Sequence, residues 1–548
     1  MRYWLLLGTA LLLTGCGGGA DSPNNTSPPG TADTARFLEQ SSWGPSEATI
    51  ADVQQKGFEN YLVEQFAAPA SSLGTYPAVD SDSTINCPNN APNHTVCFRD
   101  NYTPFPLQAR SFRNALNGQD QLRQRVAFAL SQILVVSARD GAVAEAYAIA
   151  PYQEILAKQA FGNFRDILTA ITLSPAMGKY LNMVNNTKPD PARGIAANEN
   201  YARELLQLFS IGVYELNNDG TLKHDQFGRP VPAYDQDTIE DLANALTGWT
   251  YPTRPGHSLQ SLNPPYFIGP MVAVANNHDT SQKKLLDGVV LPANQTPQKD
   301  LDDAINNIFN HPNVGPFIGK QLIQQLVTSN PSAGYVSRVA SVFNNNGQGV
   351  RGDMKAVIKA ILLDDEARGD EKTDPDYGKL REPMKFIAGL LRALGGRSDG
   401  VFPISQSAAM GQDIYKAPSV FNFYPASYPL PETNLVSPVS AIFTAGTVHV
   451  RANFVNTLLY SSNGIAPDAT VTGATGTQID LSPFVALADD PDKLMDKLDL
   501  VLMHQRMSAD MRRIIIGTVN AIPVSDRLAR ARAAIYLVAT SPQYQVER

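Results

Sequence analysis

The phrase LRQRVAFALSQILVVS, residues 122–137, indicates the fold class of this chain. Its apolar residues recur every three to four positions, which is the spacing of one face of an α-helix. The same periodicity predicts helices along most of the sequence. The predicted helices cover residues 33–40, 46–56, 58–66, 119–137, 142–159, 164–183, 199–211, 236–248, 298–310, 314–328, 334–345, 353–364, 383–394, 437–460, 491–504, 507–520 and 525–540. We therefore expect a mainly α-helical fold, a large multi-helix globular body.

Strand signals are few. One small β-hairpin is predicted where two short apolar segments flank the turn Asn218-Asp219-Gly220. Two long irregular insertions, rich in Pro, Gly and Asn, are expected near residues 250–297 and 399–438. They interrupt a predicted main domain over residues 33–460. Residues 461–548 are predicted to form a loop and a C-terminal helical hairpin that packs on the main body.

The composition excludes two classes of protein. Of the 548 residues, 43% are hydrophobic and 18% are charged, which excludes global disorder. Lys and Arg number 44 against 52 Asp and Glu, giving a net charge of −8. Without a basic excess to neutralise a phosphate backbone, nucleic acid is not an expected partner.

The N-terminus predicts export. Residues 1–15 carry one positive charge, a short apolar run and small residues at the end, which is typical of a secretory signal peptide. The last of these residues, together with Cys16, form the sequence LTGC, which resembles the bacterial lipoprotein box. In that motif the cysteine is acylated with fatty acids such as palmitate, and the chain is cut before it. Residues 16–32 would then be a lipidated Cys and a flexible tether. A plain signal peptide with a coincidental Cys is the alternative.

The lipoprotein resemblance implies a place in the cell. The mature chain is expected to be anchored by lipid in the bacterial cell envelope. Gly17, where an Asp would favour the inner membrane, indicates the outer membrane, with the periplasmic and the surface face both open. In such an oxidising compartment, Cys87 and Cys97 are expected to form a disulfide. A metal site that combines these two cysteines with His94 is the rival interpretation.

Several long phrases occur in an order that resembles one family. The phrases include NENYARELLQLFSIGVYELNNDG (198–220), HPNVGPFIGKQLIQQLVTSNPSAGYVSRVASVF (311–343), REPMKF (381–386) and PSVFNFYPASY (418–428). They are similar to the bacterial domain-of-unknown-function family 1800 over roughly residues 33–460. The resemblance implies an exported protein and brings no established activity. Genes of that family often neighbour a second exported family with a sulfatase-like fold, which suggests a partner.

His278 and Asp279 are the candidate catalytic pair, with Glu204 as an acidic partner. A His beside a carboxylate can act as a base or bind a divalent metal. His278, Asp279 and His311 are the candidate metal ligands. The spacings match no zinc signature such as HExxH. The alternative is that a hydrogen bond between His278 and Asp279 simply fixes the turn of the loop, so whether the chain is an enzyme stays open.

Aromatic residues in the two insertions are the candidate binding residues. They are Trp249, Tyr251 and Tyr266 in the first insertion, and Phe421, Phe423, Tyr424 and Tyr428 in the second. Such residues can stack on sugar rings, contact a partner or seal the core. We expect an envelope factor that binds a partner or a glycan and works with another exported protein. The alternatives are a metal-assisted hydrolase of envelope or extracellular polymers, and a passive structural lipoprotein.

Overall fold

The computed structural model describes residues 28–139, 143–369, 372 and 374–548. The predicted signal peptide (1–15), Cys16 and most of the predicted tether lie outside these residues. The described part confirms a mainly α-helical fold, with 24 α-helices and 51% helix. No helix in it is both long and apolar enough to cross a membrane.

The helices of the N-terminal half are α1 (Thr31–Ser41), α2 (Glu47–Lys56), α3 (Phe58–Ala67), α4 (Ser83–Asn86), α5 (His94–Tyr102), α6 (Phe105–Asn117), α7 (Gln121–Ile133), α8 (Ala146–Gln159), α9 (Phe164–Thr172), α10 (Pro175–Tyr180), α11 (Asn200–Gln207) and α12 (Gln236–Ala245). Those that follow are α13 (Pro297–Asn310), α14 (Val314–Leu326), α15 (Ala333–Asn344), α16 (Met354–Leu363), α17 (Pro383–Ala393), α18 (Val401–Ala409), α19 (Ala445–Tyr460), α20 (Ser482–Val485), α21 (Pro491–Leu498), α22 (Ala509–Asn520), α23 (Arg527–Ala539) and α24 (Pro542–Gln545).

The strands are two residues long and form two-stranded antiparallel sheets in the described part. They are β1 (Trp249–Thr250) with β2 (Val272–Ala273), β3 (Lys283–Lys284) with β4 (Val290–Leu291), β5 (Lys379–Leu380) with β8 (Val546–Glu547), and β6 (Arg397–Ser398) with β7 (Thr477–Gln478). The predicted hairpin is also present: the backbone N–H of Asn217 donates to the carbonyl of Thr221 at 2.8 Å. Residues 213–233, which contain this hairpin and a second turn, are called the hairpin segment below.

Helix α7 shows why the sequence pattern succeeds. Leu122, Val126 and Leu130 are each completely buried on one face of the helix. Burying a leucine contributes about 1.5–3 kcal/mol, so this face fixes the orientation of the helix in the core. The predicted helix 164–183 is instead two helices, because Pro175 starts α10 and cannot donate the backbone hydrogen bond that a continuous helix needs.

The buried apolar residues form two cores. Helices α1–α3 and α7–α16 build the first core, and α17–α24 build the second. Helix α6 joins them, since its Leu107 belongs to the first core and its Phe112 to the second. Buried charges also cross the junction: Glu39 of α1 pairs with Arg381, just before α17, and lies 3.4 Å from Lys385 Nζ in α17.

Cys87 and Cys97 form the predicted disulfide, with their Cα atoms 5.6 Å apart. The bond joins the end of α4 to α5. His94, the third residue of the rival metal interpretation, has its Nδ1 atom 3.0 Å from the carbonyl oxygen of Cys87. This ring is therefore held by the backbone of the same loop.

Candidate functional site

His278 is buried and both of its ring nitrogens face acceptors. Nδ1 lies 2.9 Å from the carbonyl oxygen of Thr247, and Nε2 lies 3.1 Å from Asp300 Oδ2. Gly248 allows this approach: its φ is +86°, and a Cβ there would lie 2.9 Å from the Cβ of His278. Neither nitrogen is free to take a proton from a ligand while these contacts hold.

The side chain of Asp279 contacts the loop that follows it. Its Oδ1 accepts from the backbone N–H of Ser281 at 2.9 Å and lies 3.4 Å from the Nζ of Lys283. Burial would raise the pKa of Asp279, but the hydrogen bonds from Ser281 and the Lys283 charge lower it below its ordinary value. The Asp279 carboxylate is thus already occupied by contacts with Ser281 and Lys283 in its own turn.

Asp300 is the buried centre of this arrangement. Its Oδ2 accepts from Lys283 Nζ at 2.7 Å as well as from His278, and its Oδ1 accepts from Gln295 at 2.6 Å. Burial would raise the pKa of Asp300, but these three hydrogen bonds keep it lowered. The sequence reasoning missed Asp300 because it lies on α13, in another element than His278.

His311 and Glu204 lie elsewhere. His311 follows α13 and its Nε2 is 3.4 Å from Glu215 Oε1; burial lowers the pKa of His311, although Glu215 opposes the shift. His311 and Asp300 are separated by nearly the whole of α13, about 16 Å at the helical rise per residue. Glu204 lies on α11, where burial raises its pKa against the effect of Arg203.

The structure therefore brings His278 and Asp279 into one loop but does not bring His311 to them. In the described residues, no hydrogen bond or ion pair links Glu204 to that loop. No group of three or more His, Cys, Asp or Glu side chains in the described ranges is arranged to hold a metal ion.

The aromatic residues of the first insertion are mostly structural. Trp249 and Tyr251 are buried in the first core, and the Tyr251 ring packs edge-on against Phe267 at 5.6 Å. Tyr266 is half-buried, with the Arg254 guanidinium 5.9 Å from its ring. Packing thus occupies these rings.

The second insertion borders a cleft of about 500 Å³, which we call the glutamine cleft. Phe421 and Tyr424 line it, while Phe423 and Tyr428 are half-buried and do not. Five glutamines also line it: Gln132, Gln207, Gln321, Gln324 and Gln325. The other walls come from the hairpin segment and α14. Its size lies within the range of small-ligand sites.

Helix α14 presents two different faces. Ile318, Leu322 and Ile323 are fully buried in the first core. The residues on the opposite side, spaced three to four apart, line the cleft: Pro316, Phe317, Lys320, Gln321 and Gln324. A helix whose apolar face is buried therefore offers carboxamides and one ammonium group to the cleft.

Asn313 holds the hairpin segment against the start of α14. Its side-chain amide donates to the carbonyl oxygens of Ile211 at 3.0 Å and Tyr214 at 2.8 Å, and its Oδ1 accepts from the N–H of Leu216 at 2.9 Å. Gly212 permits the turn into the segment, since its φ is +75° and a Cβ would lie 2.9 Å from the ring of Phe317. The two walls of the cleft are thus fixed relative to each other.

Phe421 and Tyr424 form one side of the cleft, which we call the aromatic wall. Glu382 holds this wall in place through Tyr424. Its buried Oε2 accepts from Tyr424 Oη at 2.7 Å, Gln132 Nε2 at 3.0 Å and Gln412 Nε2 at 2.8 Å. Burial, followed by the Glu382 charge, raises the pKa of Tyr424 well above its usual value, so its hydroxyl remains a donor. The family phrases REPMKF and PSVFNFYPASY meet through this hydrogen bond.

The glutamines of the cleft were missed by sequence reasoning. Polar residues on the outer face of a helix are typical of a solvated surface, and only the position of the neighbouring loop makes this face part of a site. The phrase GKQLIQQL did contain a signal, because its amides recur at helical spacing. Chemically, the cleft can form neutral hydrogen bonds, apolar contacts and an ionic contact through Lys320.

The sequence profile of the family described as "Protein of unknown function (DUF1800)" matches residues 36–546. That match covers almost the whole of the described body, including both cores and the glutamine cleft. We found no similar chain among the curated proteins and none among the solved structures.

Proposed function

We propose a binding function for this chain, which belongs to the family described as Protein of unknown function (DUF1800). The protein is a lipid-anchored factor of the bacterial cell envelope that binds a partner or a glycan, in concert with another exported protein. The glutamine cleft is its binding site. The expected anchor is acylated Cys16, and the outer membrane is the expected location.

One observation carries this proposal: the cleft combines an exposed aromatic ring with two glutamine side chains, Gln207 and Gln325, that make no protein hydrogen bond in the described part. Phe421 stands about half exposed at the rim of this cleft. A carboxamide with no protein partner at the wall of a cleft offers a donor and an acceptor to a ligand. Preorganised walls reduce the entropy lost on binding.

The hydrolase alternative receives less support. Its histidine, His278, has both nitrogens engaged, and Asp279 is engaged by Ser281. A general base must reach the proton that it removes, and these contacts would first have to break. We therefore assign His278 and Asp279 to the stability of the body.

Two variants test the binding site. Phe421→Ala removes the exposed ring, and Phe98→Ala removes an exposed ring on α5, outside the cleft lining. Binding of purified envelope polysaccharide and of purified periplasmic proteins is measured for each by light scattering or interferometry. Binding that is weakened by Phe421→Ala and not by Phe98→Ala supports the proposal. Binding that is equal in both variants would reject the cleft as the site.

The anchor is tested separately. Cys16→Ser removes the thiol that is acylated in lipoproteins, so the chain should move from the membrane fraction to the soluble fraction. Mass spectrometry of the native protein should show fatty acids on the first residue after cleavage. Continued retention of the Cys16→Ser chain in membranes would contradict lipid anchoring.

A further inference from the structure

The rim of the glutamine cleft is apolar and exposed. Val213 is 43% exposed, Leu222 is 40% exposed and Phe421 is 49% exposed, and all three line the cleft. Phe227, at a turn of the same hairpin segment, is 71% exposed. Exposed apolar residues that cluster around a concavity are typical of surfaces that another protein covers.

The interior of the cleft matches the peptide unit. A carboxamide offers a donor and an acceptor together, which is what a peptide N–H and C=O require. The side chains of Gln207 and Gln325 line the cleft and make no protein hydrogen bond in the described part. Together these amides can serve the backbone of an extended segment.

The charge of the lining restricts the ligand. Lys320, which is exposed, is the only charged residue among the described residues of the cleft. No carboxylate there could pair with a bound Lys or Arg. A segment with apolar side chains and a neutral or negative charge is therefore complementary, and a basic segment is disfavoured.

A glycan fits the same surface less well. Sugar hydroxyls need polar partners on most of their edges, and the three exposed rim residues offer none. The Tyr424 hydroxyl already donates its hydrogen bond to Glu382, so it is not an additional donor for a sugar. Apolar side chains of a polypeptide would instead cover Val213 and Leu222.

We infer that the glutamine cleft binds an extended segment of a partner polypeptide that is apolar and carries no net positive charge. This inference rests on the proposed binding function and adds the chemical class of the ligand. Phe421 supplies the main apolar contact, Gln207 and Gln325 bind the segment backbone, and Lys320 selects its charge. Because the Tyr424–Glu382 hydrogen bond fixes the aromatic wall, the cleft is formed before the segment arrives.

A phage-displayed library of random dodecapeptides is the probe, panned on the purified full chain. Selected peptides should be rich in apolar residues and Asp or Glu, and poor in Lys and Arg. Phe421→Ala should weaken a selected synthetic peptide at least about tenfold, whereas the control Phe98→Ala should change its affinity less than about twofold. Both rings are exposed, so circular dichroism should be unchanged.

Lys320→Glu provides an independent readout, because it reverses the charge of Lys320 and leaves the apolar rim residues Val213, Leu222 and Phe421 in place. The same library panned on this variant should give peptides enriched in Lys and Arg. An unchanged charge preference would overturn the role of Lys320, and peptides insensitive to Phe421→Ala would overturn the peptide site.

A neutral oligosaccharide, cellohexaose, is tested in parallel. If it binds in a Phe421-dependent manner and no peptide does, the polypeptide inference fails while the proposed binding function stands. If neither probe depends on Phe421, both fail.

Discussion

The buried carboxylate of Asp300 should be essential for stability. Asp300→Asn keeps the shape of the side chain but removes the charge that faces Lys283 Nζ at 2.7 Å, where both side chains are fully buried. Breaking a buried ion pair costs about 3–5 kcal/mol, because the remaining charge is uncompensated. Asp279 Oδ1, 3.4 Å from the same ammonium group, compensates part of this loss. We therefore expect a decrease of about 3 kcal/mol in the free energy of unfolding.

Asp303→Asn is the matched control on the same helix. Asp303 also pairs with a lysine, Lys299, but the lysine side chain is 58% exposed. Exposed pairs contribute at most about 1 kcal/mol, so this variant should lose less than that. Urea unfolding at pH 7, followed by far-ultraviolet circular dichroism, measures both variants against the parent chain.

A double variant, Asp300→Asn with Lys283→Met, sharpens the test. Removing both charges eliminates the uncompensated ammonium group, so at least about half of the lost stability should return. Equal losses for Asp300→Asn and Asp303→Asn would refute the reasoning, because the buried pair would then contribute no more than a surface pair.

Three further predictions concern other parts of the body. Glu382→Gln should increase hydrogen exchange of residues 418–428, because the charged acceptor of Tyr424 is lost; unchanged exchange would show that the wall is held by packing alone. Burial lowers the pKa of Lys385 from 10.5 to about 8, so the unfolded state binds more protons between these values. The free energy of unfolding should thus rise by up to about 3 kcal/mol across that range, and Lys385→Met, compared in urea titrations at several pH values, should remove the rise. Replacing Cys87 and Cys97 together by Ser should lower the free energy of unfolding by about 3 kcal/mol through loop-closure entropy, and an identical urea midpoint would contradict this.

The helical fold could be predicted because burial leaves a periodic pattern. The apolar residues of 122–137 give the core face of α7 directly, although the helix ends at Ile133. The pattern does not show where a helix breaks: the predicted helix 491–504 ends as α21 at Leu498 and continues as a π-helical turn, Asp499–Met503. His504 and Gln505 then have positive φ, which apolar spacing cannot indicate.

The site was predictable only in part. Phe421 and Tyr424 stood out as aromatic residues among prolines, and both line the cleft. The partner of His278 did not stand out, because Asp300 resembles any acidic residue in the first turn of a helix. Contacts between elements decide such roles, and a single sequence does not specify which elements meet.

The pairing of β5 with β8 has a consequence for synthesis. Lys379 lies opposite Glu547, and Leu380 opposite Val546, across more than 160 intervening positions. A ribosome releases residue 379 long before residue 547, so this contact cannot form until the residues between them have been made. Until then α17 lacks the neighbours α23 and α24 of its own core. The second core can therefore be completed only after residues 546 and 547 have been made, and until then the apolar side chains of α17 lack part of their cover.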